Sequence, residues 1–215
     1  MTSRLGVFCG PSLPPEDRIS ASGVFFLPPA ARGDVGRAAD DYDTLLLIDG
    51  VFHHDLAPSP RECYRAAQRA RCFGASSIGA LRAAECWPYG FAPLGIIARW
   101  YIRELIDGDD EVAVLFEPTT QRALTVPSVN VRYVARLSIR RGILSPRDAG
   151  LLVDRARDIF YMERTWDDVV ELAPPNARAA IRSIAELEGD LKRHDARFAL
   201  RRLLGTQRRS KAACA

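Results

Sequence analysis

The sequence predicts an α/β protein: a mainly parallel, Rossmann-like sheet with flanking helices, followed by a helical C-terminal region. Three observations predict it. Apolar runs of strand length stand at 4–9 (RLGVFC), 24–27 (VFFL) and 45–48 (LLLI), and each is closed by turn residues. A junction of small residues then follows at Cys72–Glu85, CFGASSIGALRAAE, which reads as strand, tight turn and helix. Beyond Val126 the apolar spacing becomes helical and stays so. The chain therefore divides into an α/β core over 1–117, a helical extension over 118–205 and a basic, frayed tail over 206–215.

Each element has a local reason. The first strand ends in Gly10-Pro11-Ser12, and the second is stopped by Pro28-Pro29, with Gly33-Asp34 opening a further turn. LLLI is apolar on both faces, as a central parallel strand requires, and Asp49-Gly50 closes it. Residues 61–71 read as helix, Cys72 and Phe73 lead into the turn, and 80–86 is the next helix. Residues 94–106 form an amphipathic helix with Ile97, Tyr101 and Leu105 four apart, and Gly108 caps it. Val112–Phe116 (VAVLF) is the last strand, ended by Glu117-Pro118. The helices beyond it fall at 129–141, 145–160 with a Ser-Pro start, 166–172 and 176–204 with a break at Gly189.

Alternating strands and helices gather ligands at the carboxyl ends of the strands. Gly10, Ser12, Asp49 and Ser77 all fall on that edge. Ser77 stands in an A-x-S-x-G frame, one methyl away from the elbow that presents a nucleophilic serine. Gly74, Ser76 and Gly79 leave the turn nearly bare, so that N–H groups at the helix start can approach an anion or a developing oxyanion. The same small residues also serve close packing. Arg82 and Glu85 sit three apart on the following helix, either as a surface ion pair or with Arg82 turned to an anionic substrate.

Composition excludes several classes. At 47% hydrophobic and 27% charged over 215 residues, the chain is an ordinary globular protein with room for one sizeable core. No stretch approaches the ~20 apolar residues of a membrane span and no signal segment opens the chain, so the expectation is cytoplasmic. Cys9, Cys63, Cys72, Cys86 and Cys214 form no C-x-x-C pair and are expected as free thiols. His53, His54 and His194 have no metal-site spacing, and the acids Asp107, Asp109, Asp110 and Glu111 lack the order of a calcium loop. No metal is expected. The net charge of +3 conceals an asymmetry: 11 basic against 16 acidic residues in 1–117, or −5, and 19 against 11 in 118–215, or +8. A basic stripe of Arg193, Arg197 and Arg201 suits docking on an acidic protein, whereas nucleic acid is not expected, because no aromatic stacking pattern accompanies it.

Several of these stretches together, in one order, resemble the TfuA family over roughly the first 117 positions. They are Gly10-Pro11-Ser12-Leu13, Pro28-Pro29-Ala30 with Gly33-Asp34, Ile48-Asp49-Gly50-Val51-Phe52, FGASSIGALRAAE, and Asp109-Asp110-Glu111-Val112-Ala113-Val114. Two departures stand out: Pro60 replaces a histidine usual before the glutamate that matches Glu62, and Ile78 replaces a methionine. The first leaves that histidine's role without a carrier here, and the second conserves volume. The resemblance implies a partner of a YcaO enzyme, which uses ATP to activate a backbone amide of a ribosomally made precursor peptide and yields a thioamide. The TfuA-like protein would deliver or release sulfide, with a thiocarboxylated, ubiquitin-like sulfur carrier as one source, or would activate its partner.

Two mechanisms follow for this chain. As a hydrolase of an acyl–sulfur bond, it would use Ser77 as nucleophile, N–H groups near Ser76 and Gly79 for the oxyanion, and Asp49 as base or orienter, with Arg82 and Glu85 beside them. No histidine is evidently placed to complete a triad. As a binding module, the same edge would hold a ligand or a partner's tail, through Gly10, Ser12, Gly74, Ser76 and Gly79.

Overall fold

The computed structural model describes residues 3–52 and 56–213. The chain forms two compact units, one of Met1–Asp107 with Arg193–Ala215 and one of Gly108–Lys192. The first unit therefore ends ten residues before the boundary expected from the sequence, and it takes the last helix back from the expected helical extension.

In the first unit, β1 (Leu5–Phe8), β2 (Val24–Leu27), β3 (Thr44–Leu47), β4 (Arg71–Gly74) and β5 (Phe91–Pro93) form one sheet in the order β2-β1-β3-β4-β5. All neighbours are parallel, with Val7 opposite Phe26 and Leu46, and Leu46 opposite Phe73. That is the doubly wound order in which the chain reverses direction between β1 and β3. β1 and β3 are fully buried, as their unbroken apolar runs require, whereas β2 is a half-exposed edge.

The crossovers are α1 (Asp34–Asp41), α2 (Pro60–Ala67) and α3 (Ile78–Cys86), which pack side by side. Right-handed connections put them on one face. α4 (Gly95–Ile102) follows β5. Successive strand side chains alternate between faces, and Leu46 and Ile48 join Leu5, Val7 and Cys9 in a cluster with Ala196, Ala199, Leu200 and Leu203 of the last helix. That helix, α9 (Leu191–Ala213), thus closes the face that the crossovers leave open.

The second unit is helical, with α5 (Ser128–Arg140), α6 (Pro146–Asp158), α7 (Trp166–Glu171) and α8 (Arg178–Glu188) around Val131, Val134, Leu152, Val169 and Ile181. Ser145 accepts the N–H of Asp148 to start α6, and Thr165 with Asp168 forms a reciprocal cap on α7. Arg164 is 1% exposed and donates to the carbonyls of Ala156, Ile159 and Val126 and to Ser128 Oγ, so its charge is spent on loop ends inside the unit. Burial lowers its pKa.

Four expectations change. Val112–Phe116 is no sheet strand: a 3-10 turn at Asp109–Glu111 precedes it, and Phe116 makes only an isolated antiparallel bridge to Ala123. Val112 and Ala113 are apolar because they are buried in the helical unit, which a short apolar run cannot distinguish from a strand. Conversely, α1 and β5 were not expected, because α1 is largely polar and β5 is three residues ending in Pro93. The helix after β5 stops at Ile102, and Glu104 takes a positive φ of 55°. α9 runs to Ala213 rather than fraying at Thr206, since no proline interrupts it.

α3 lies against the sheet because Gly74 and Gly79 have no Cβ. A Cβ on Gly79 would stand 1.9 Å from the Leu47 carbonyl oxygen, and one on Gly74 would stand 2.0 Å from the Gly79 carbonyl oxygen. Backbone on both sides cannot yield as a side-chain tip can. Gly79→Ala is expected to lower stability by about 3 kcal/mol, whereas Gly150→Ala, which meets nothing within 4 Å on α6, should gain up to about 1 kcal/mol. Urea denaturation of the two variants measures both.

Candidate functional site

The carboxyl edge of the sheet holds the residues singled out from the sequence, and Asp49 is its centre. Asp49 directly follows the β3 run and is 2% exposed. Its Oδ2 accepts the N–H of Gly10 at 2.8 Å and of Ser12 at 3.0 Å, and its Oδ1 accepts the Ser12 hydroxyl at 2.6 Å. Gly10 and Ser12 therefore bind the protein's own carboxylate. Gly10 is close-packed as well, since a Cβ there would stand 2.7 Å from Pro29 Cγ.

The elbow is sharply bent. Ser76 has a φ of 67°, the left-handed region that side chains other than glycine rarely adopt, and Ser77 follows with φ −92° and ψ −132°. Ser77 is the N-cap residue of α3, yet its hydroxyl caps no helix N–H. That is unusual for a serine there, since serine is among the best cap residues. Of the four N–H groups that open a helix without intrahelical partners, Gly79 donates to the Ile48 carbonyl at 3.1 Å and Ala80 to the Ser77 carbonyl at 2.9 Å. Ser77 and Ile78 supply the remaining two.

Two roles read from the sequence are altered by this geometry. The Gly79 N–H expected for an oxyanion is used within the fold. No hydrogen bond joins Asp49 to Ser77 among the described residues; the Asp49 carboxylate is bound by the turn after β1. Ser76 and Ser77 are 0% and 1% exposed. Arg82 donates to the Pro58 carbonyl and to Glu85, both at 2.6 Å, which is the ion-pair alternative. His53 and His54, which follow this edge, lie outside the described residues, as does Cys214.

The four described cysteines are buried. Burial pushes Cys9 and Cys72 up to about 12, with the Asp49 carboxylate adding to the rise at Cys9, and burial also raises Cys63 and Cys86. All four are neutral thiols at physiological pH. Among the acids at 107–111, Glu111 is fully buried and turned to Arg132 at 2.6 Å and Arg157 at 3.5 Å. Among the described residues no three His, Cys, Asp or Glu side chains converge as metal ligands.

Sequence reasoning passed over Asp195. Its carboxylate is buried on α9, and its Oδ2 accepts the N–H groups of Ile96 and Ile97 at 2.7 Å each, so it closes the N-terminus of α4 on the same edge as the elbow. Gly95 has φ +90°, and a Cβ there would strike the carboxylate at 2.5 Å. The signal was present: Asp195 lies four residues from both Leu191 and Ala199, on the apolar face of its helix. His194 beside it is more than half exposed, and its pKa is raised by the Asp195 carboxylate.

A five-stranded doubly wound sheet with a bent serine elbow beside its switch point defines an α/β protein whose chemistry or binding belongs to the strand ends. Residues 49–165 match the family model described as TfuA-like protein, and the chain belongs to the TfuA family. The match begins at Asp49 and runs well into the helical unit, so it reaches further in that direction than the first 117 positions of the resemblance, and it leaves Gly10–Leu13 and Pro28–Asp34 outside. A search of the curated proteins returned no match. No helix among the described residues is long and apolar enough to cross a membrane.

If Asp49 serves the fold in this way, Asp49→Ala leaves two buried N–H groups and a hydroxyl without their acceptor. It should cost about 3 kcal/mol in urea denaturation. The four buried thiols should also resist an alkylating reagent at about pH 8 until denaturant is added, as intact-mass analysis would show.

Proposed function

We infer that this protein acts beside a YcaO enzyme in thioamide formation on a ribosomally made precursor peptide, delivering sulfur rather than activating the amide. ATP would be consumed by the partner. The chain's own contribution is to take sulfide from a thiocarboxylated, ubiquitin-like carrier protein at the elbow.

The observation that carries this reading is the Ser77 hydroxyl, held at the start of α3 on a strained turn and not used as the helix cap. An acyl carbon brought to that hydroxyl would have the Ser77 and Ile78 N–H groups and the positive end of α3 nearby. Asp49, read from the sequence as base or orienter, accepts from Gly10 and Ser12 in this geometry.

A second reading has an observation of its own. Both serines are closed off from solvent, so hydrolysis requires the edge to open, while a module that only activates its partner or positions its substrate does not. Reconstitution separates the two. The purified protein, a YcaO enzyme, ATP and precursor peptide are supplied with either carrier thiocarboxylate or free sulfide, and the peptide is followed by mass, about +16 Da per oxygen-to-sulfur exchange. Ser77→Ala should lose carrier-dependent turnover at least about a hundredfold, keep its melting temperature, and be restored by excess sulfide. Ser76→Ala should lose less. Full activity of Ser77→Ala with the carrier would remove the hydrolytic reading and leave the activating one.

A further inference from the structure

The arginine excess of residues 118–215 suggested where a partner docks, but the structure answers much of that charge internally. Arg193 donates to Asp17 and Glu16, and Arg197 lies 3.7 Å from Asp17. Arg141, Arg178 and Arg182 pair with Glu188, Glu171 and Asp167. Arginines without an acidic partner among the described residues also stand in the acidic half, on α2.

Arg61 and Arg65 of α2 are exposed and have no acidic partner among the described residues. The acids that could have neutralised them are engaged elsewhere. Glu62 turns inward to the Gly36 N–H at 3.1 Å, Glu85 holds Arg82, and Asp40 holds Arg69. Tyr64 lies beside the two arginines on the helix surface. Its ring meets Tyr89 edge-on at 5.5 Å, and Gln68 Nε2 donates to the Tyr89 carbonyl. The Cys86 thiol donates to the Pro60 carbonyl, which brings the end of α3, and Trp87 next to it, to the start of α2. The start of α2 and the end of α3 thus lie together, with Tyr64, Trp87 and Tyr89 exposed by 44%, 54% and 57%. Tyrosine, tryptophan and arginine are the residues that dominate protein interfaces, and such large apolar groups gathered in water mark a surface that is covered in use.

We propose that this α2–α3 face is the docking site for an acidic segment of the partner enzyme, with two carboxylates paired to Arg61 and Arg65 and an apolar side chain between them seated against Tyr64, Trp87 and Tyr89. Four residues of helix separate the arginines by about 6 Å. Acids two apart on an extended segment, about 6.7 Å, or four apart on a helix fit that spacing. A nucleic acid is the poorer occupant. Binding a phosphate backbone requires a basic track, whereas α2 offers this pair alone. The identity of the partner rests on the function proposed above, whereas the chemistry of the segment rests on the face alone.

Two measurements test it. In the first, a fluorescein-labelled decapeptide with two Asp residues flanking a Phe, its Lys counterpart and a ten-nucleotide uridine RNA are titrated into the full chain by anisotropy. The Asp peptide should bind, and the double variant Arg61→Glu/Arg65→Glu and the single variant Trp87→Ala should each weaken it about tenfold or more at unchanged melting temperature. No binding of the Asp peptide, or equal binding of the Lys peptide or RNA, overturns the proposal. In the second, the dissociation constant for the purified YcaO enzyme is measured with the same variants. It should rise about tenfold or more, and thioamide formation should return when the variant protein is in excess. Variants that bind the enzyme as tightly as the unaltered protein overturn the docking site while leaving the proposed function standing. An unaltered protein that binds the Asp peptide but neither binds the enzyme nor supports thioamide formation leaves the acid-binding face standing and removes the proposed function.

Discussion

The Asp49 carboxylate is the constraint on which the first unit is built. A doubly wound sheet opens a crevice where the chain leaves neighbouring strands in opposite directions, here between β1 and β3. Many proteins of this architecture leave that crevice to a ligand. In this chain Asp49 fills it, and the two N–H groups and one hydroxyl it accepts hold the turn after β1 to the end of β3. Burying a carboxylate costs several kcal/mol, and hydrogen bonds to a charged group return roughly 1.5–3 kcal/mol each, so the arrangement is sustained only while all three donors are present. The next residue inward, Ile48, offers its carbonyl to Gly79 and thereby fixes the first turn of α3. Elbow and switch point are thus one construction.

The sequence made the strands of the sheet's centre legible because their burial on both faces leaves continuous apolar runs, as in 45–48. Helix starts were legible where a side chain caps the backbone, as with Ser145 before Pro146. What stayed hidden was set by partners distant in sequence. α1 is polar because one face is wet, β5 is too short to carry a period, and Asp195 lies 99 residues from the Ile96 N–H it accepts. The elbow shows the limit most clearly. A glycine that admits a ligand and a glycine that admits a carbonyl are the same letter, and only the position of the Leu47 oxygen, 1.9 Å from where a Cβ of Gly79 would be, assigns it to packing. The serine frame was therefore readable, while the availability of its oxyanion donor and base was not.

Charge gives the same lesson. Counting by halves, −5 against +8, points to the second half as the sticky one. Pairing weakens that conclusion, because ion pairs at exposed positions leave little net field at their own surface, and buried Arg164 donates to carbonyls inside its unit. A surface is defined by charges that nothing nearby answers. Arg61 and Arg65 meet that description although they sit in the half with excess acid.

The elbow and the aromatic face are joined by a single helix. α3 begins at Ile78, immediately after Ser77, and ends at Cys86, immediately before Trp87. Nine residues span about 13 Å, and Gly79, its one glycine, is pinned to the Ile48 carbonyl, so the helix has no joint at which to bend. At the elbow the backbone is held by the Gly79 N–H on the Ile48 carbonyl, the Ala75 N–H on the Leu47 carbonyl and the Leu94 N–H on the Gly74 carbonyl. The closed serines and the exposed aromatics are therefore opposite ends of one rigid body.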